Sequence, residues 1–378
     1  MKDVEFIAMN NEHSLRIAVF FTDAYGGIGG IAKFNRDLLD SLSLMSEVSE
    51  IIAVPRLVRG DIGEIPRRIC FDMKAARGKL KYILRSIKYS FANYKIDIVF
   101  CGHINLLPIA WFVSRLHHCP LVIIVHGIEA WRPHQSFLVR RLLPGVDAIL
   151  AVSSHTVKRV QAWSGLPASK FYLLPNSIDL EKYVPRPRNE ALAAKYGLVG
   201  KRVLLTVGRL AKEERYKGFD EVIEVLPYLA REIPQITYLI VGDGDDRVRL
   251  ETKARRLGVE NRVIFVGYVS EEEKIDLYNL ADVFVMPGRG EGFGIVYLEA
   301  MACGVPVIGS LLDGSHDALR GGTLGQLVDP DDPQQIMAAI HKALAVPRGR
   351  PAGLEYFSIQ AYQKRLAEFV RHLSRERR

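Results

Sequence analysis

The sequence predicts an α/β protein built from two doubly wound parallel sheets. Three observations carry that expectation. Its 378 residues exceed the usual size of one domain and suit two. Short β-rich apolar runs alternate with segments of helical period, the pattern of strand–helix–strand crossovers. The alternation is interrupted by the polar, Pro- and Arg-rich stretch 184–189 (VPRPRN) and starts again beyond it. The expected division is a first domain over residues 1–183, a second over 190–355, and a C-terminal helical segment, 356–378.

In chain order, residues 1–14 (MKDVEFIAMNNEHS) show little pattern and read as a loose leader. Residues 15–21 (LRIAVFF) form a buried strand, 22–30 (TDAYGGIGG) a glycine loop, and 31–44 a helix. The loop's spacing is not G-x-G-x-x-G, so a tight turn without a ligand stands beside a phosphate-binding reading. A strand follows at 51–54. Residues 67–88 carry eight basic side chains against the single acid Asp72, with Leu80, Ile83, Leu84 and Ile87 on one helical face. Such a helix either lies on an anionic membrane surface or turns that apolar stripe to the core under a solvated charged face. Strands at 97–101 and 121–125 end in Gly102-His103 and His126-Gly127. Open α/β sheets bind ligands at the carboxyl ends of strands. His126 is therefore a candidate and His103 a weaker one; a histidine satisfied by backbone in a turn is the alternative. A strand at 148–152 with a Ser153-Ser154 cap and a strand-and-turn at 173–179 complete the first half.

The second half reads strand 201–207, helix 219–230, strand 236–241, helix 247–257, strand 263–266, helix 270–281 and strand 283–286. The stretch 287–306 (PGRGEGFGIVYLEAMACGVP) organises this half. Its glycine loop opens a helix that starts near Ile295 and is stopped by Gly304 and Pro306. Free N–H groups, the helix dipole and the close approach that glycine permits make an anion site there. Glu291 and Glu299 flank it eight positions apart, about two helical turns. A carboxylate would repel phosphate but suits the hydroxyls of a sugar or ribose. A ligand with an anionic middle and hydroxyls at both ends is a nucleotide sugar. Arg209, just past a strand, and Lys217, eight residues on, are two permanent cations suited to a diphosphate; a plain charged loop is the alternative. Residues 358–373 read as a helix.

Composition is that of an ordinary globular chain, 48% hydrophobic and 25% charged. Cys70, Cys101, Cys119 and Cys303 form no CxxC pair or zinc-ligand spacing and read as small buried hydrophobes. No basic-then-apolar signal segment begins the chain, and no apolar run is long enough to span a bilayer. The expected location is cytoplasmic, with the inner face of the cytoplasmic membrane as a candidate contact for residues 67–88. The formal charge of +8 is concentrated early: the first 180 residues hold 22 basic and 15 acidic side chains, the rest 29 and 28. No basic platform interleaved with aromatics, zinc finger or recognition helix accompanies that charge, so nucleic acid is not an expected partner. Asp243 and Asp245 (VGDGDD) do not form an Asp-x-Asp metal site at a strand end, and no metal ligand is assigned.

The Glu-x7-Glu pattern inside EGFGIVYLEAMACGVPVI closely resembles the retaining glycosyltransferases of family 4, which have the GT-B fold. The resemblance spans nearly the whole chain, strongest over 209–329. It implies two Rossmann-like domains facing across a cleft, with the C-terminal helix crossing back to the first. It implies transfer of a sugar from a GDP- or UDP-linked donor to a hydroxyl of a glycan or lipid-linked acceptor in cell-surface polysaccharide or lipopolysaccharide synthesis, without metal or other cofactor. Residue by residue, it puts His126 and Glu291 on the donor sugar and Arg209 and Lys217 on the diphosphate, as the catalytic set. The N–H groups of Phe293, Gly294 and Ile295 hold sugar and phosphate, and Glu299 the ribose. Tyr268 and Val269 face the base through their backbone, and Gly27 and Gly29 lie over donor phosphates and acceptor. Residues 173–179 match the family's Pro-Asn-Gly-Val-Asp hinge, with Ser177 at the usual glycine. Rival readings are an epimerase or phosphorylase of the same architecture (the latter without its pyridoxal lysine signature) and a catalytically inactive sugar-nucleotide-binding scaffold at the membrane. Glu291→Ala separates the scaffold from the enzyme, because a binding-only protein keeps its role.

Overall fold

The computed structural model describes residues 14–91 and 94–375, so nearly all of the expected leader lies outside it. Among the described residues, thirteen strands form two sheets. The first holds β1 (Leu15–Phe21), β2 (Val48–Pro55), β3 (Ile69–Phe71), β4 (Ile98–Cys101), β5 (Leu121–Val125), β6 (Ala148–Ala151) and β7 (Phe171–Leu173), in the order β3-β2-β1-β4-β5-β6-β7. The second holds β8 (Arg202–Val207), β9 (Ile236–Val241), β10 (Val263–Gly267), β11 (Val283–Val285), β12 (Val307–Ser310) and β13 (Gln326–Val328), in the order β10-β9-β8-β11-β12-β13. Neighbours pair in parallel, as β1 does with β2 and β4, and β8 with β9 and β11. Parallel sheets covered on both faces bury their inner strands, which is why β5 (LVIIV) and β9 (ITYLIV) are buried throughout and read as mainly apolar runs.

In each sheet the order reverses beside the strand that comes first in sequence, between β1 and β4 and between β8 and β11. A reversal opens a crevice at the strands' carboxyl ends. The first is bordered by the glycine loop after β1. The second is bordered by Gly208-Arg209 after β8 and by the glycine loop after β11.

Three strands are absent from the sequence reading. β12 and β13 are short, and β13 is an edge strand of mixed polarity (QLV). β3 lies inside the basic stretch 67–88, which is not one helix. It forms β3, a turn, and then a helix over Lys79–Ser90 that starts after Gly78, whose φ of 127° disfavours other residues. The apolar stripe of this helix does not face the core. Leu80, Ile83 and Leu84 are exposed, while Tyr82, Ser86, Tyr89 and Ser90 are buried. The buried side is held by Asp72, which accepts from Arg85 Nε at 2.6 Å and from Tyr89 Oη at 2.9 Å.

The chain divides into two compact units. One comprises residues up to Ile124, Gln135–Ile149 and residues from Leu366 on; the other comprises Val125–His134 and Leu150–Arg365. The end of the last helix (Ile359–Arg375) therefore belongs to the first unit, where Phe369 meets Phe100 edge-on at 6.5 Å and Arg371 pairs with Glu47. The second unit packs its helices Phe219–Glu232 and Pro333–Ala345 on the sheet around Leu204, Tyr238, Ile240, Val283 and Ile308. Among the described residues no helix is long and apolar enough to cross a membrane.

Candidate functional site

The site is built from two loops at the order reversal of the second unit. Arg209 follows β8 directly. The backbone from Gly208 to Leu210 is pressed against the turn after β9. A Cβ on Gly242 would lie 2.1 Å from the Gly208 carbonyl oxygen, and one on Gly244 would lie 2.2 Å from that of Leu210. Only glycine fits at either position, so the VGDGD turn serves the arginine loop structurally. Lys217 ends the tight helical turn Lys212–Lys217 and brings its ammonium back beside Gly208. Both cations meet on Glu214, which pairs with Arg209 and lies 2.8 Å from Lys217 Nζ. Arg209 remains 69% exposed along its side chain and Lys217 only 14%. Sequence reasoning missed Glu214, which reads as one more acid in a charged loop.

The glycine loop after β11 divides its N–H groups between two directions. The N–H of Gly288 bonds Met286, that of Arg289 bonds the Tyr216 carbonyl at 2.7 Å, and that of Glu291 donates to Asp313 Oδ2 at 2.9 Å. These point into the protein and are not open to a ligand. Among the described residues, the N–H groups of Phe293, Gly294 and Ile295 have no acceptor. They open the helix Ile295–Ala302, whose N-cap is Gly294 at φ 83°. The Phe293 ring is buried against Phe357 at 5.5 Å, so only its backbone can face a ligand.

The close packing explains the remaining glycines. Gly290 lies under the Tyr216 ring, 2.6 Å from an added Cβ. On Gly292 a Cβ would stand 2.0 Å from the carbonyl oxygen of His126, and its own carbonyl accepts from Ser153 Oγ at 2.7 Å. This brings His126 and Gly127 to the loop that carries Glu291. His126 is 8% exposed, and its backbone N–H donates to Glu129 Oε1 at 2.6 Å. Burial pushes the Glu291 carboxyl above its ordinary range; Lys217 draws it down, and Asp313 and Glu214 add to the rise. Burial likewise raises Asp313.

Glu299 is 3% exposed and sits in a polar cluster. Tyr278 Oη donates to it at 2.7 Å, and Lys274 Nζ lies 3.2 Å from both of its oxygens. The Tyr183 hydroxyl, with one proton, is shared between Glu299 at 3.1 Å and Glu271 at 2.9 Å. Burial pulls Lys274 down, but Glu299 and Glu271 outweigh it and hold the ammonium charged. Tyr268 is exposed, with its Oη donating to the Asp243 carbonyl, and Val269 is half-buried beside it; Gly267, at φ 83°, turns the chain there. Gly27 and Gly29 belong to the first unit. Gly29, at φ 96°, precedes the helix Gly30–Ser43, and the Gly27 carbonyl accepts from Arg36 at 2.9 Å. A cleft of about 480 Å³ lies beside them, lined by Tyr25, Ile28, Arg36 and Arg59 among others.

Residues 189–362 match the family described as glycosyl transferases group 1, and residues 28–182 match Glycosyltransferase Family 4. Among curated relatives, a GDP-mannose-dependent alpha-(1-6)-phosphatidylinositol monomannoside mannosyltransferase of Mycolicibacterium smegmatis is 34% identical over 66% of this chain and 69% of its own. The corresponding monoacylated-acceptor enzyme of Corynebacterium glutamicum is 26% identical over 86% and 87%. Among solved structures, Anabaena HepE with UDP and glucose aligns with a TM-score of 0.74 at 22% identity, over 94% of this chain and 99% of that one. The chain belongs to the family 4 glycosyltransferases, and its two parallel sheets are those of the GT-B fold.

Proposed function

We propose that this glycosyltransferase is a retaining, metal-independent hexosyltransferase that moves a sugar from a nucleotide-diphosphate donor to a hydroxyl of a lipid-linked or glycan acceptor in cell-surface polysaccharide synthesis. The observation that carries it is the loop after β11. Three N–H groups without acceptors stand at a helix start, Glu291 precedes them, and Lys217 lies close enough to act on the Glu291 charge. In this reading Arg209 and Lys217 bind the diphosphate and neutralise it as it leaves. Glu291 and His126 orient the sugar. Glu299, held by Tyr278 and Lys274, binds the ribose, and Tyr268-Val269 border the base. Gly27 and Gly29 border the acceptor cleft.

A GDP-linked mannose is the first donor to try, because the curated mannosyltransferase relatives use it; UDP sugars come second. A lipid-linked acceptor is favoured by those relatives' phosphatidylinositol substrates and by the outward apolar stripe of the Lys79–Ser90 helix among basic side chains. The test is thermal stability with GDP, UDP, ADP and their sugar conjugates, with and without EDTA. A ligand at a hundred times its dissociation constant should stabilise the fold by about 2.7 kcal/mol. One base should raise the melting point, and EDTA should leave that rise unchanged. No response, or a response that needs added metal, overturns the donor-site reading. The anomeric configuration of the product, read by NMR, decides retention.

A further inference from the structure

We infer that Asp313 is a positioning residue for sugar transfer: its buried carboxylate fixes the peptide of Glu291 and so aims that side chain at the donor sugar. The inference rests on the donor site proposed above and goes beyond it, because Asp313 itself touches no ligand. Asp313 follows β12 and is 0% exposed. Its Oδ2 accepts the Glu291 N–H at 2.9 Å, and its Oδ1 accepts the Ser315 N–H at 3.0 Å and the Ser315 hydroxyl at 2.7 Å. The Gly290 N–H points to the same carboxylate. A Cβ on Gly288 would stand 3.3 Å from Oδ2, so the carboxylate also packs closely on the loop at Gly288. The next residue closes the clamp from the other side, the Gly314 N–H donating to the Glu291 carbonyl at 2.8 Å. Both polar groups of the Glu291 backbone are thereby fixed from one short segment, 313–314.

Every partner of Asp313 is a donor. A carboxylate accepts on both oxygens, whereas an amide must present an NH2 on one side. Asp313→Asn keeps shape and size yet sets N–H against N–H, either at Glu291 or at Ser315. The clamp therefore specifies the acid rather than a polar residue of its size. Its reach ends at Glu291: the N–H groups of Phe293, Gly294 and Ile295 and the Arg209–Glu214–Lys217 cluster make no bond to it. The variant should loosen recognition of the sugar and spare recognition of the diphosphate.

The experiment compares wild type, Asp313→Asn and the milder Ser315→Ala, which removes one donor and leaves the carboxylate. Hydrogen exchange of the 288–292 amides is followed in the unliganded protein, with calorimetry of the nucleoside diphosphate and of the nucleotide sugar, and kcat and KM. Asp313→Asn should speed exchange of the loop at least tenfold without speeding that of Pro333–Ala345. It should lower kcat/KM by about a hundredfold, the scale of a misplaced reacting group, and leave diphosphate affinity within twofold. Ser315→Ala should show the same pattern at a fraction of the size. Unchanged loop exchange, or faster exchange with unaltered nucleotide-sugar affinity and kcat, overturns the inference; so does an equal loss of diphosphate and sugar-nucleotide affinity. Glu291→Gln run in parallel identifies a failure of the donor-site reading instead, since that variant would then transfer sugar normally. The exchange readout tests the clamp in either case. Should Asp313→Asn fail to fold, the same outcomes measured on Ser315→Ala support or overturn the inference.

Discussion

At the scale of single residues, the site concentrates negative charge around Glu291. Asp313 and Glu214 act on its carboxyl, with Lys217 opposing them. A carboxyl whose folded pKa lies above its unfolded value holds its proton more tightly when folded. Stability then falls as pH rises through that interval, and the loss persists above it. Glu291 is such a group, raised above 4.5 by burial first and by its acidic neighbours after it. Glu291→Gln removes the half-buried charge, so it should melt higher than wild type at neutral pH. The advantage should fade as pH falls through 4.5 and vanish well below it, where the glutamate is neutral in both states. The same variant should lose roughly ten- to a hundredfold in kcat/KM, the value of one hydrogen bond to a charged group. Melting curves from pH 4 to 8 beside initial rates check both. A lower melting point at neutral pH would show instead that Glu291 is a net stabilising partner of Lys217. Glu291 was legible in the sequence because glycines surround it. Asp313 and Glu214 were not, because their roles come from contacts made far along the chain, and an Asp-Gly after a short strand reads as an ordinary turn.

At the scale of elements, the deeply buried strands declared themselves through composition, and the edge pieces did not. β5 is apolar throughout and β9 is interrupted only by Thr237, so run length locates them. β3, with three residues and one fully buried side chain, carries no period to detect. The helix Lys79–Ser90 shows the limit of periodicity from the other side. Its stripe of Leu80, Ile83 and Leu84 was plain, but a period cannot say which face meets the protein. Packing answers through Asp72, which draws Arg85 and Tyr89 inward and turns the leucines out. Exposed leucines between lysines are costly to hydrate and suit an anionic bilayer surface, where each basic residue adds about 1 kcal/mol. Replacing Leu80 and Leu84 together with Gln should leave the melting point unchanged, since neither side chain is buried. It should reduce co-sedimentation with vesicles containing phosphatidylserine at least tenfold, and salt should weaken wild-type binding. Equal sedimentation of variant and wild type would remove the membrane from the functional reading.

At the scale of the whole molecule, each unit has buried residues of its own, and the chain's last helix is divided between the two. Tyr362 is buried ahead of the point where the units divide; Leu366, Phe369, Val370 and Leu373 are buried beyond it. The residues proposed to bind the donor, Arg209, Lys217, Glu291 and Glu299, all lie in the second unit, and Gly27 and Gly29 in the first. Damage to the first core should therefore separate binding from transfer. Phe369→Ala removes the ring that meets Phe100 and should cost about 3–5 kcal/mol, as large-to-small core changes of phenylalanine do. Because cores of this kind open as local cooperative units, hydrogen exchange in β1, β2 and β4 should accelerate while β8 and β9 keep their protection. The variant should still bind the nucleoside diphosphate with wild-type affinity at temperatures where transfer to an acceptor has been lost. Loss of protection in both sheets together would mean that the two cores unfold as one. Nucleotide affinity should then disappear at the temperature at which transfer does, and the last helix would be a clamp on the whole fold rather than a part of the first core.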